Sequence, residues 1–288
     1  MPEISILFVN YNDKKNLRSS LESLQVPSSP NIETIVIDNA STDGSQSMLK
    51  EEFPDIHLIQ NHENMGFSKA CNQGFRISKG SFILYLNPDT VLEPSTLNRL
   101  YEEMRLFRDT GAAGPVLIQE NNAFQVSFGS KRTFLTEIIQ KFLLNPFHKT
   151  RIRSRKKRKN VAWLSGACLF LRREALEDAG GFDENFFLYY EDIDLCYRIK
   201  QKGWNIVLIP EARTFHKGGA STGKDRLLSR YYYRKSQLYF YKKHNTRFSC
   251  QLLHLYLRIL FLFLPFSQYY RMHKGSLGKK DFYKLLKK

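Results

Sequence analysis

The chain reads Ile4-Ser5-Ile6-Leu7-Phe8-Val9-Asn10-Tyr11-Asn12-Asp13 near its start, an apolar run of strand length that ends in four polar residues. Leu17, Leu21 and Leu24 then recur at helical spacing, which predicts an amphipathic helix directly after the strand. A strand, a polar loop and a helix in this order form the repeating unit of a parallel α/β sheet.

The same unit recurs along the first half of the chain. We predict helices at 45–53 and 68–78 and further strands at 32–37, 56–59, 81–86 and 112–118. Such alternation is typical of an α/β fold, in which helices cover both faces of a parallel sheet.

Polar residues follow the first, second and fourth of these strands, at Asn10, Asp38 and Asp89. Ligands of open α/β sheets bind outside the carboxyl ends of the strands, so we expect the three loops to line one crevice. The sequence contains neither a Gly-x-Gly-x-x-Gly fingerprint nor a Gly-x-x-x-x-Gly-Lys loop. Metal ions or basic side chains would therefore have to bind any phosphate.

The composition limits the class of protein. A chain of 288 residues with 42% hydrophobic and 14% aromatic content is not disordered throughout and can bury a large core. Its 44 basic and 28 acidic residues give a net charge of +16, which indicates an anionic partner. Nucleic acid, an anionic membrane face and a phosphorylated substrate all meet that description.

The cysteines and the N-terminus indicate in which cellular compartment the protein is expected. Cys71, Cys168, Cys196 and Cys250 are far apart and form no Cys-x-x-Cys pair, which argues against a zinc site or a disulfide framework and favours a reducing cytosol. Met1-Pro2-Glu3 lacks a basic n-region, so we expect the apolar run that follows to be the first strand rather than a secretory signal.

The pattern changes after residue 118. Residues 119–160 combine turn residues with short apolar patches and the basic run 151–159, which we expect either to be a solvated flexible loop or to contact an acceptor or lipid headgroups. Order returns with a strand rich in small residues at 161–172, a final strand at 204–209 and a loop at 210–216.

Three carboxylates stand within four residues in Tyr190-Glu191-Asp192-Ile193-Asp194-Leu195, at the predicted start of a helix. Acidic side chains there are favoured by the helix dipole and by capping, so each could be purely structural. The aromatic run 186–190 offers an alternative, since a carboxylate buried beside aromatic rings has a raised pKa and can act as a general base. Asp194 lies four residues before Arg198, which predicts a helix-surface ion pair.

The last part of the chain interleaves aromatic residues with cations at 231–235 and 239–243, and then becomes strongly apolar at 252–266. The apolar run is short and contains His254 and Arg258, so we expect an interfacial amphipathic element or a helix packed on the domain rather than a membrane span. A nucleic-acid-binding protein is the rival interpretation of the positive charge. The cations, however, are concentrated away from the strand-end loops.

Six motifs in this order resemble those of glycosyltransferase family 2, in particular its bacterial rhamnosyltransferase-like members. They are Asn10-Tyr11-Asn12, Asp38-Asn39-Ala40-Ser41-Thr42-Asp43-Gly44-Ser45, Asn64-x-Gly66-Phe67-x-x-Ala70-x-Asn72-x-Gly74, Leu86-Asn87-Pro88-Asp89, Glu191-Asp192-x-Asp194-Leu195 and His216. The resemblance implies the GT-A fold, an α/β fold whose Rossmann-like, mostly parallel sheet is flanked by helices, here with a C-terminal helical extension.

The resemblance also divides the chain. Residues 1–118 would form the nucleotide-sugar-binding half and residues 161–225 the acceptor-binding and catalytic half, with the basic flexible loop at 119–160 between them. Residues 226–288 would form a helical tail, basic and aromatic, that contacts the membrane.

Roles for single residues follow from the same resemblance. Asp192 would be the general base, Glu191 would orient the acceptor or cap the helix, and Asp38 would accept a hydrogen bond from the pyrimidine ring. The other residues implied to bind the nucleotide sugar are Asn10, Asn12, Asn39, Gly66, Phe67, Lys69, Asn72, Asn87 and Asp89.

A divalent cation, Mn²⁺ or Mg²⁺, is implied as cofactor, with Asp89 and His216 as its ligands. Imidazole suits manganese better than magnesium. Asn87 stands where many relatives have the first acidic residue of an Asp-x-Asp signature, a departure that bears on metal affinity.

The expected function is inverting transfer of a sugar to a hydroxyl of a lipid-linked or growing surface polysaccharide. Rhamnose from dTDP-rhamnose is the first choice of donor, with UDP and GDP sugars as alternatives. The implied partners are the nucleotide-sugar donor and a glycan or lipid-linked acceptor, without nucleic acid, and the implied location is the cytoplasmic face of the inner membrane. A catalytically inactive nucleotide-binding relative is the alternative, because of Asn87.

Overall fold

A nine-stranded sheet forms the centre of the computed structural model, which describes residues 1–24, 31–119, 121, 123–139, 158–218, 226–263 and 284–285. Its strands are β1 (Ile4–Asn10), β2 (Ile32–Asp38), β3 (His57–Gln60), β4 (Phe82–Leu86), β5 (Thr90–Leu92), β6 (Thr110–Ile118), β8 (Lys159–Asn160), β10 (Cys168–Arg172) and β11 (Asn205–His216). A separate two-stranded sheet pairs β7 (Phe128–Gly129) with β9 (Trp163–Leu164).

The helices of the described part of the chain alternate with the strands from β1 to β4, and less regularly after that. They are α1 (Lys14–Glu22), α2 (Ser45–Glu52), α3 (Phe67–Ile77), α4 (Thr96–Leu106), α5 (Phe134–Ile139), α6 (Arg173–Asp178), α7 (Glu191–Gln201), α8 (Arg226–His244) and α9 (Arg247–Phe263). The mixed, mostly parallel sheet flanked by helices confirms the predicted fold class.

The strand order in the main sheet is β3-β2-β1-β4-β10-β6-β11-β5, with β8 paired to β11. β1 runs parallel to both β2 and β4, whereas β10 runs antiparallel between β4 and β6. Alternate side chains of β1 enter the two layers: Leu7 joins the core under α3 and α7, and Ile6 joins the core under α1, α2 and α4. The sheet is therefore buried on both faces, as its apolar runs predict.

The register brings distant polar residues to one edge. Asn10 and Asp38 are direct partners at the carboxyl ends of β1 and β2. At the other side of the sheet, His216 at the end of β11 pairs with Thr90 at the start of β5. Asp89 precedes Thr90, so the pairing itself places Asp89 beside His216.

Two predicted elements were wrong in detail. The single strand at 161–172 is two strands, β9 and β10, separated by the turn at 165–167. The predicted loop at 210–216 continues β11, which shifts its register against β6 between Ile209 and Arg213. Pro210 lies in that irregular segment, where its missing N–H leaves no ladder hydrogen bond unmade.

The predicted basic run extends outside the described residues, since only 158 and 159 of 151–159 are described. Arg158 binds Glu103 with an N–O distance of 2.8 Å. Within 119–160 the described residues include β7, α5 and β8.

Helices α8 and α9 pack on the domain. Phe240 and Leu257 are fully buried in the core below α7, and the Ser236 hydroxyl donates to the Leu188 carbonyl at 2.8 Å. The remainder of the predicted apolar run, from 264 to 266, lies outside the described residues. None of the helices that the structure describes has the length and hydrophobicity to span a bilayer.

Candidate active site

A cavity of about 680 Å³ opens at the carboxyl edge of the sheet. Its lining comes from the loops after β1, β2, β3, β4 and β6, the turn at 165–167 before β10, the N-terminus of α7 with the loop before it, the end of β11 and the start of α8. Of the residues expected to form the site, it is lined by Asn12, Asn39, Gly66, Phe67, Asn87, Asp89, Glu191, Asp192 and His216. The predicted crevice is therefore present.

Asp89 and His216 form the most compact polar pair in this cavity. His216 Nε2 lies 3.3 Å from Asp89 Oδ1, and His216 Nδ1 lies 2.8 Å from Gln125 Oε1. An amide oxygen can only accept, so the Nδ1–H donates to Gln125, and Nε2 is the ring nitrogen that faces Asp89.

This arrangement fits a divalent cation. A ligating histidine usually donates its second ring N–H to a protein oxygen, as His216 does to Gln125. One carboxylate and one imidazole provide two ligands, and Asn87 adds a neutral amide oxygen to the same cavity wall. No group of three His, Cys, Asp or Glu side chains comes together in the described residues, so other ligands would come from substrate or water.

The loop before α7 has a strained backbone at the two residues that precede the acidic segment. Tyr189 and Tyr190 both have positive φ, at 69° and 67°. Such backbone costs on the order of 1 kcal/mol or more for a bulky residue and needs compensating contacts. The Tyr190 hydroxyl supplies one by donating to Glu137 Oε1 at 3.0 Å, and its ring packs against Phe240 at a centroid distance of 5.3 Å.

Asp192 and Glu191 differ in their hydrogen bonds. Asp192 Oδ2 accepts from the Gly166 N–H and its Oδ1 from the Ile193 N–H, each at 2.8 Å. Glu191 Oε2 is buried and has no partner among the described residues. Burial raises the pKa of Asp192, against which the two N–H groups act, and burial together with the neighbouring Asp192 raises the pKa of Glu191 well above its usual range. Asp192 is therefore the more readily ionised of the pair.

Asp194 faces away from the cavity. It is fully buried, its Oδ2 lies 2.8 Å from Arg198 Nε, and its Oδ1 lies 2.7 Å from Lys243 Nζ and 2.6 Å from His244 Nε2. Burial alone would raise the pKa of Asp194, but these partners hold it below its usual value. The predicted ion pair with Arg198 is confirmed, but its predicted place on the helix surface is wrong, because α8 covers Asp194 and adds Lys243 and His244 to the pair.

Asp38 and Asn10 are buried beneath the cavity floor. Asp38 Oδ2 accepts from Asn10 Nδ2 at 2.8 Å, and its Oδ1 accepts from the Ser41 N–H at 2.8 Å and from Gln46 Nε2 at 2.7 Å. These contacts hold the loops after β1 and β2 together. Asp38 does not line the cavity in this arrangement.

Lys69 and Asn72 also lie apart from the cavity lining. Lys69 is exposed on α3. Asn72 Nδ2 donates to the Phe182 carbonyl at 2.9 Å and its Oδ1 accepts from the Phe182 N–H at 2.9 Å. Asn72 therefore ties α3 to the loop before α7.

Gly66 packs closely against the loop before α7, directly ahead of α3. Its φ is +83°, and a Cβ added to it would lie 2.7 Å from the Phe187 ring and 2.8 Å from the Phe187 carbonyl oxygen. The next residue, Phe67, donates its N–H to this carbonyl at 2.8 Å. The close approach sets the distance between the start of α3 and the loop before α7, which both line the cavity.

We expect Gly66→Ala to destabilise the fold by about 1–3 kcal/mol and to weaken ligand binding in the cavity, because the methyl group must displace Phe187. Thermal unfolding with and without nucleotide measures both effects. Gly180→Ala is the matched control, since Gly180 has a φ of +76° but nothing within 4 Å of an added Cβ. Equal losses in the two variants would assign the effect to backbone conformation instead of the contact with Phe187.

Sequence reasoning missed several contributors to the site. Gln125, which orients His216, lies in the segment predicted to be a flexible loop, and no motif marks it. Leu228, Ser229 and Tyr232 of α8 line the cavity, although the tail carried no family motif. Tyr232 stacks on Phe187 at a centroid distance of 4.4 Å. Only the docking of α8 reveals this contribution.

Comparison with known proteins gives a consistent result. Residues 5–180 match the family described as Glycosyl transferase family 2. The N-acetylglucosaminyl-diphospho-decaprenol L-rhamnosyltransferase of Mycobacterium tuberculosis is 27% identical over 240 residues, which cover 77% of this chain and 78% of the relative. The low-salt glycan biosynthesis hexosyltransferase Agl10 of Haloferax volcanii is 27% identical over 72% of this chain and 64% of its own length.

Among solved structures, the chain is similar in fold to the mannosyltransferase PcManGT from Pyrobaculum calidifontis, solved in complex with GDP-Man and Mn²⁺. The TM-score is 0.60 at 19% identity, over 84% of this chain. The match spans 64% of the solved chain, so about a third of that protein has no counterpart in the comparison.

Proposed function

The chain belongs to glycosyl transferase family 2 and is a glycosyltransferase that takes its sugar from a nucleotide donor, and on that premise we propose that it inverts the anomeric centre with Asp192 as general base. One observation carries the proposal: the Asp192 carboxylate and the Asp89–His216 pair line the same cavity. Inverting transfer needs a base for the acceptor hydroxyl and a site that binds the leaving diphosphate.

The proposed reaction is a single displacement. The acceptor hydroxyl attacks the anomeric carbon, the bond to the diphosphate breaks, and Asp192 takes the hydroxyl proton. One carboxylate suffices, because inversion forms no covalent sugar intermediate. The raised pKa of Asp192 favours proton acceptance, while its two backbone N–H bonds keep it oriented.

Glu191 takes a different role in this proposal. Its pKa lies further above the usual range and one of its oxygens has no partner among the described residues, so it holds a proton more firmly than Asp192. A protonated Glu191 can donate a hydrogen bond to an acceptor oxygen and does not compete for the transferred proton. We therefore assign it to acceptor orientation.

Asp89 and His216 would hold Mn²⁺ or Mg²⁺, with manganese favoured by the imidazole. When bound, the cation neutralises the charge that develops on the leaving diphosphate. His216 is presented for this role by Gln125, and Asp89 is positioned by the turn between β4 and β5.

We expect Gln125→Leu to weaken Mn²⁺ affinity about 10- to 100-fold, because the His216 ring loses the oxygen that fixes its tautomer. Titration of the purified chain with Mn²⁺, followed by thermal shift, measures the affinity without an activity assay. Gln119→Leu is the control, since Gln119 lines the same cavity while the His216 Nδ1–H donates to Gln125. Unchanged Mn²⁺ affinity in Gln125→Leu would argue against His216 as a ligand.

The donor and acceptor are proposed at a finer level from the relatives. The Mycobacterium tuberculosis relative is named as a rhamnosyltransferase acting on a decaprenol-linked sugar, which supports dTDP-rhamnose as donor and a lipid-linked or growing surface polysaccharide as acceptor. The contact with the cytoplasmic face of the inner membrane is part of the same proposal.

A panel of nucleotide sugars tests the function. The wild-type chain is incubated with dTDP-, UDP- and GDP-sugars, with and without Mn²⁺, and both thermal stabilisation and release of nucleoside diphosphate are followed, since a bound donor raises stability by mass action. We expect the largest response from dTDP-rhamnose. Stabilisation by a donor without any transfer or hydrolysis would identify a nucleotide-binding relative that has lost its activity.

A further inference from the structure

A second cavity lies between α8 and α9, outside the site with Asp192. Its volume is about 1010 Å³, which is at the upper end of the range for ligand pockets. Residues of both helices and the turn between them line it. Neither the motifs nor the proposed reaction uses it.

The lining is strongly cationic. It contains five Lys or Arg side chains: Lys284, and Lys235, Lys242, Arg247 and Arg258 of the two helices and their turn, which we call the four cavity cations; among its described residues there is no Asp or Glu. Helices α8 and α9 have eight Lys or Arg and no acidic residue between 226 and 263. No ion pair joins any of the four cavity cations to a carboxylate within the part of the chain that the structure describes. Their charge is therefore available to an anionic ligand.

One cation of α8 that does not line the cavity forms ion pairs. Lys243, next to Lys242 in α8, binds both Asp183 and Asp194 at 2.7 Å. Those carboxylates belong to the domain beneath α8. The cations that line the cavity from α8 form no ion pair with a carboxylate of the domain among the described residues. The packing of α8 on the domain therefore does not explain why these residues are cationic.

Two further observations point to a ligand in the cavity. The Asn245 side-chain nitrogen is buried at the cavity wall and donates to no acceptor among the described residues. A buried donor without a partner costs about 1–3 kcal/mol, so an acceptor supplied from outside would stabilise the site. Burial and then the charge of Arg258 lower the pKa of His254, which fits a positive local potential.

Much of the remaining lining is apolar or aromatic. Leu253 and Leu255 line the cavity together with several tyrosine rings. Phe248, Leu255 and Ile259 lie seven and four residues apart on α9, hence on one side of the helix, and are 67%, 55% and 45% exposed. Leu255 belongs both to this row and to the cavity lining, so the row continues from the cavity along α9 and offers an apolar surface to a hydrocarbon chain.

We propose that the cavity between α8 and α9 binds a lipid phosphate, with the anionic head at the four cavity cations and the hydrocarbon chain along the exposed row of α9. Amphipathic helices that hold cations beside an apolar row bind anionic lipid surfaces in this way. The site goes beyond the proposed sugar transfer, since it would hold such a lipid whichever sugar the other cavity transfers. A nucleic acid would use the cations but not the apolar row.

Flotation of the full chain with vesicles tests the proposal. The vesicles are neutral phosphatidylcholine, phosphatidylcholine with phosphatidylglycerol, and phosphatidylcholine with a polyprenyl phosphate; inorganic phosphate is the soluble competitor. We expect binding only where a lipid phosphate with net negative charge is present. Binding to neutral vesicles of equal strength overturns the proposal, and so does complete competition by an oligonucleotide that the chain binds more tightly than the vesicles.

The vesicle composition also identifies the source of the phosphate. Stronger binding to the polyprenyl phosphate than to phosphatidylglycerol at equal surface charge supports a lipid carrier as the ligand. Equal binding at equal charge supports a membrane phospholipid. Loss of binding when inorganic phosphate is added at low concentration shows a free-phosphate site and overturns the requirement for a lipid.

The decisive variant changes the four cavity cations to Gln together. At about 1 kcal/mol for each basic residue near an anionic surface, we expect vesicle affinity to fall about tenfold or more. The control removes the same charge from exposed positions elsewhere, with Lys15, Lys50, Arg76 and Lys202 changed to Gln. An equal fall in the control would show unspecific attraction and overturn the site.

A single substitution tests the same site in case the fourfold variant does not fold. Leu255→Glu places a negative charge at the exposed mouth of the cavity, and we expect it to weaken binding to anionic vesicles. Leu106→Glu is its control, because Leu106 is 71% exposed on α4. Nucleotide-sugar stabilisation, measured in the same samples, reports on the Asp192 cavity. A chain that binds lipid phosphate but no nucleotide sugar refutes the proposed reaction and leaves the lipid site standing.

Discussion

Asp192→Asn is expected to lower kcat by about two to four orders of magnitude, because the amide cannot accept the proton of the attacking hydroxyl. The change is nearly isosteric, and the single amide oxygen keeps one of the two backbone hydrogen bonds that Asp192 accepts from Gly166 and Ile193. Donor binding and the unfolding temperature should stay close to the wild type. Single-turnover kinetics with a saturating donor measures the loss in the chemical step.

The pH dependence of the wild type gives a second measure of the same residue. Asp192 acts as a base only when ionised, and burial raises its pKa above the usual 3.8. The rate should therefore fall as the pH decreases through that raised value, and the acidic limb should be absent from the residual activity of Asp192→Asn. A variant that retains near-normal turnover would falsify the base assignment.

Asp194→Asn is expected to cost about 3 kcal/mol of folding free energy, more than Asp192→Asn two residues away. The Asp194 carboxylate is fully buried and faces Arg198, Lys243 and His244, so the neutral amide would leave the charges of Arg198 and Lys243 without compensation. Because Lys243 and His244 belong to α8, the loss should also loosen that helix. Denaturant unfolding measures the free energy, and Asp192→Asn is the matched control.

The sign of the pH effect follows from the lowered pKa of Asp194. A carboxyl whose pKa is lower in the folded state adds stability above its unfolded value, near 3.8, and this stability is lost as the pH falls through the folded value. Asp183, which Lys243 also contacts, has a pKa of about 2. The wild type should thus lose stability between about pH 4 and pH 2, and Asp194→Asn should lose less of it. An identical acid dependence in both chains would show that Asp194 is not the titrating group.

Much of the fold follows from local pattern. The apolar run at 4–9 and its successors predict parallel strands, since residues buried on both faces of a sheet read as continuous hydrophobic stretches. The position of the cavity follows from the same pattern, because polar residues after successive parallel strands meet at one edge. The prediction that β11 ends before Pro210 was wrong. A proline is tolerated within a strand where the pairing is irregular, and this irregularity depends on the partner strand β6.

Sequence by itself determined the family motifs, the strand-and-helix alternation and the Asp194–Arg198 pair, all of which depend on residues close in sequence or on a fixed order of motifs. Only the tertiary structure showed the different environments of the three carboxylates of α7, because their partners come from distant elements: Gly166 for Asp192, and α8 for Asp194. The same holds for Gln125 beside His216 and for the cavity between α8 and α9. Burial and charge compensation are properties of packed neighbours, and a linear sequence does not state which neighbours meet.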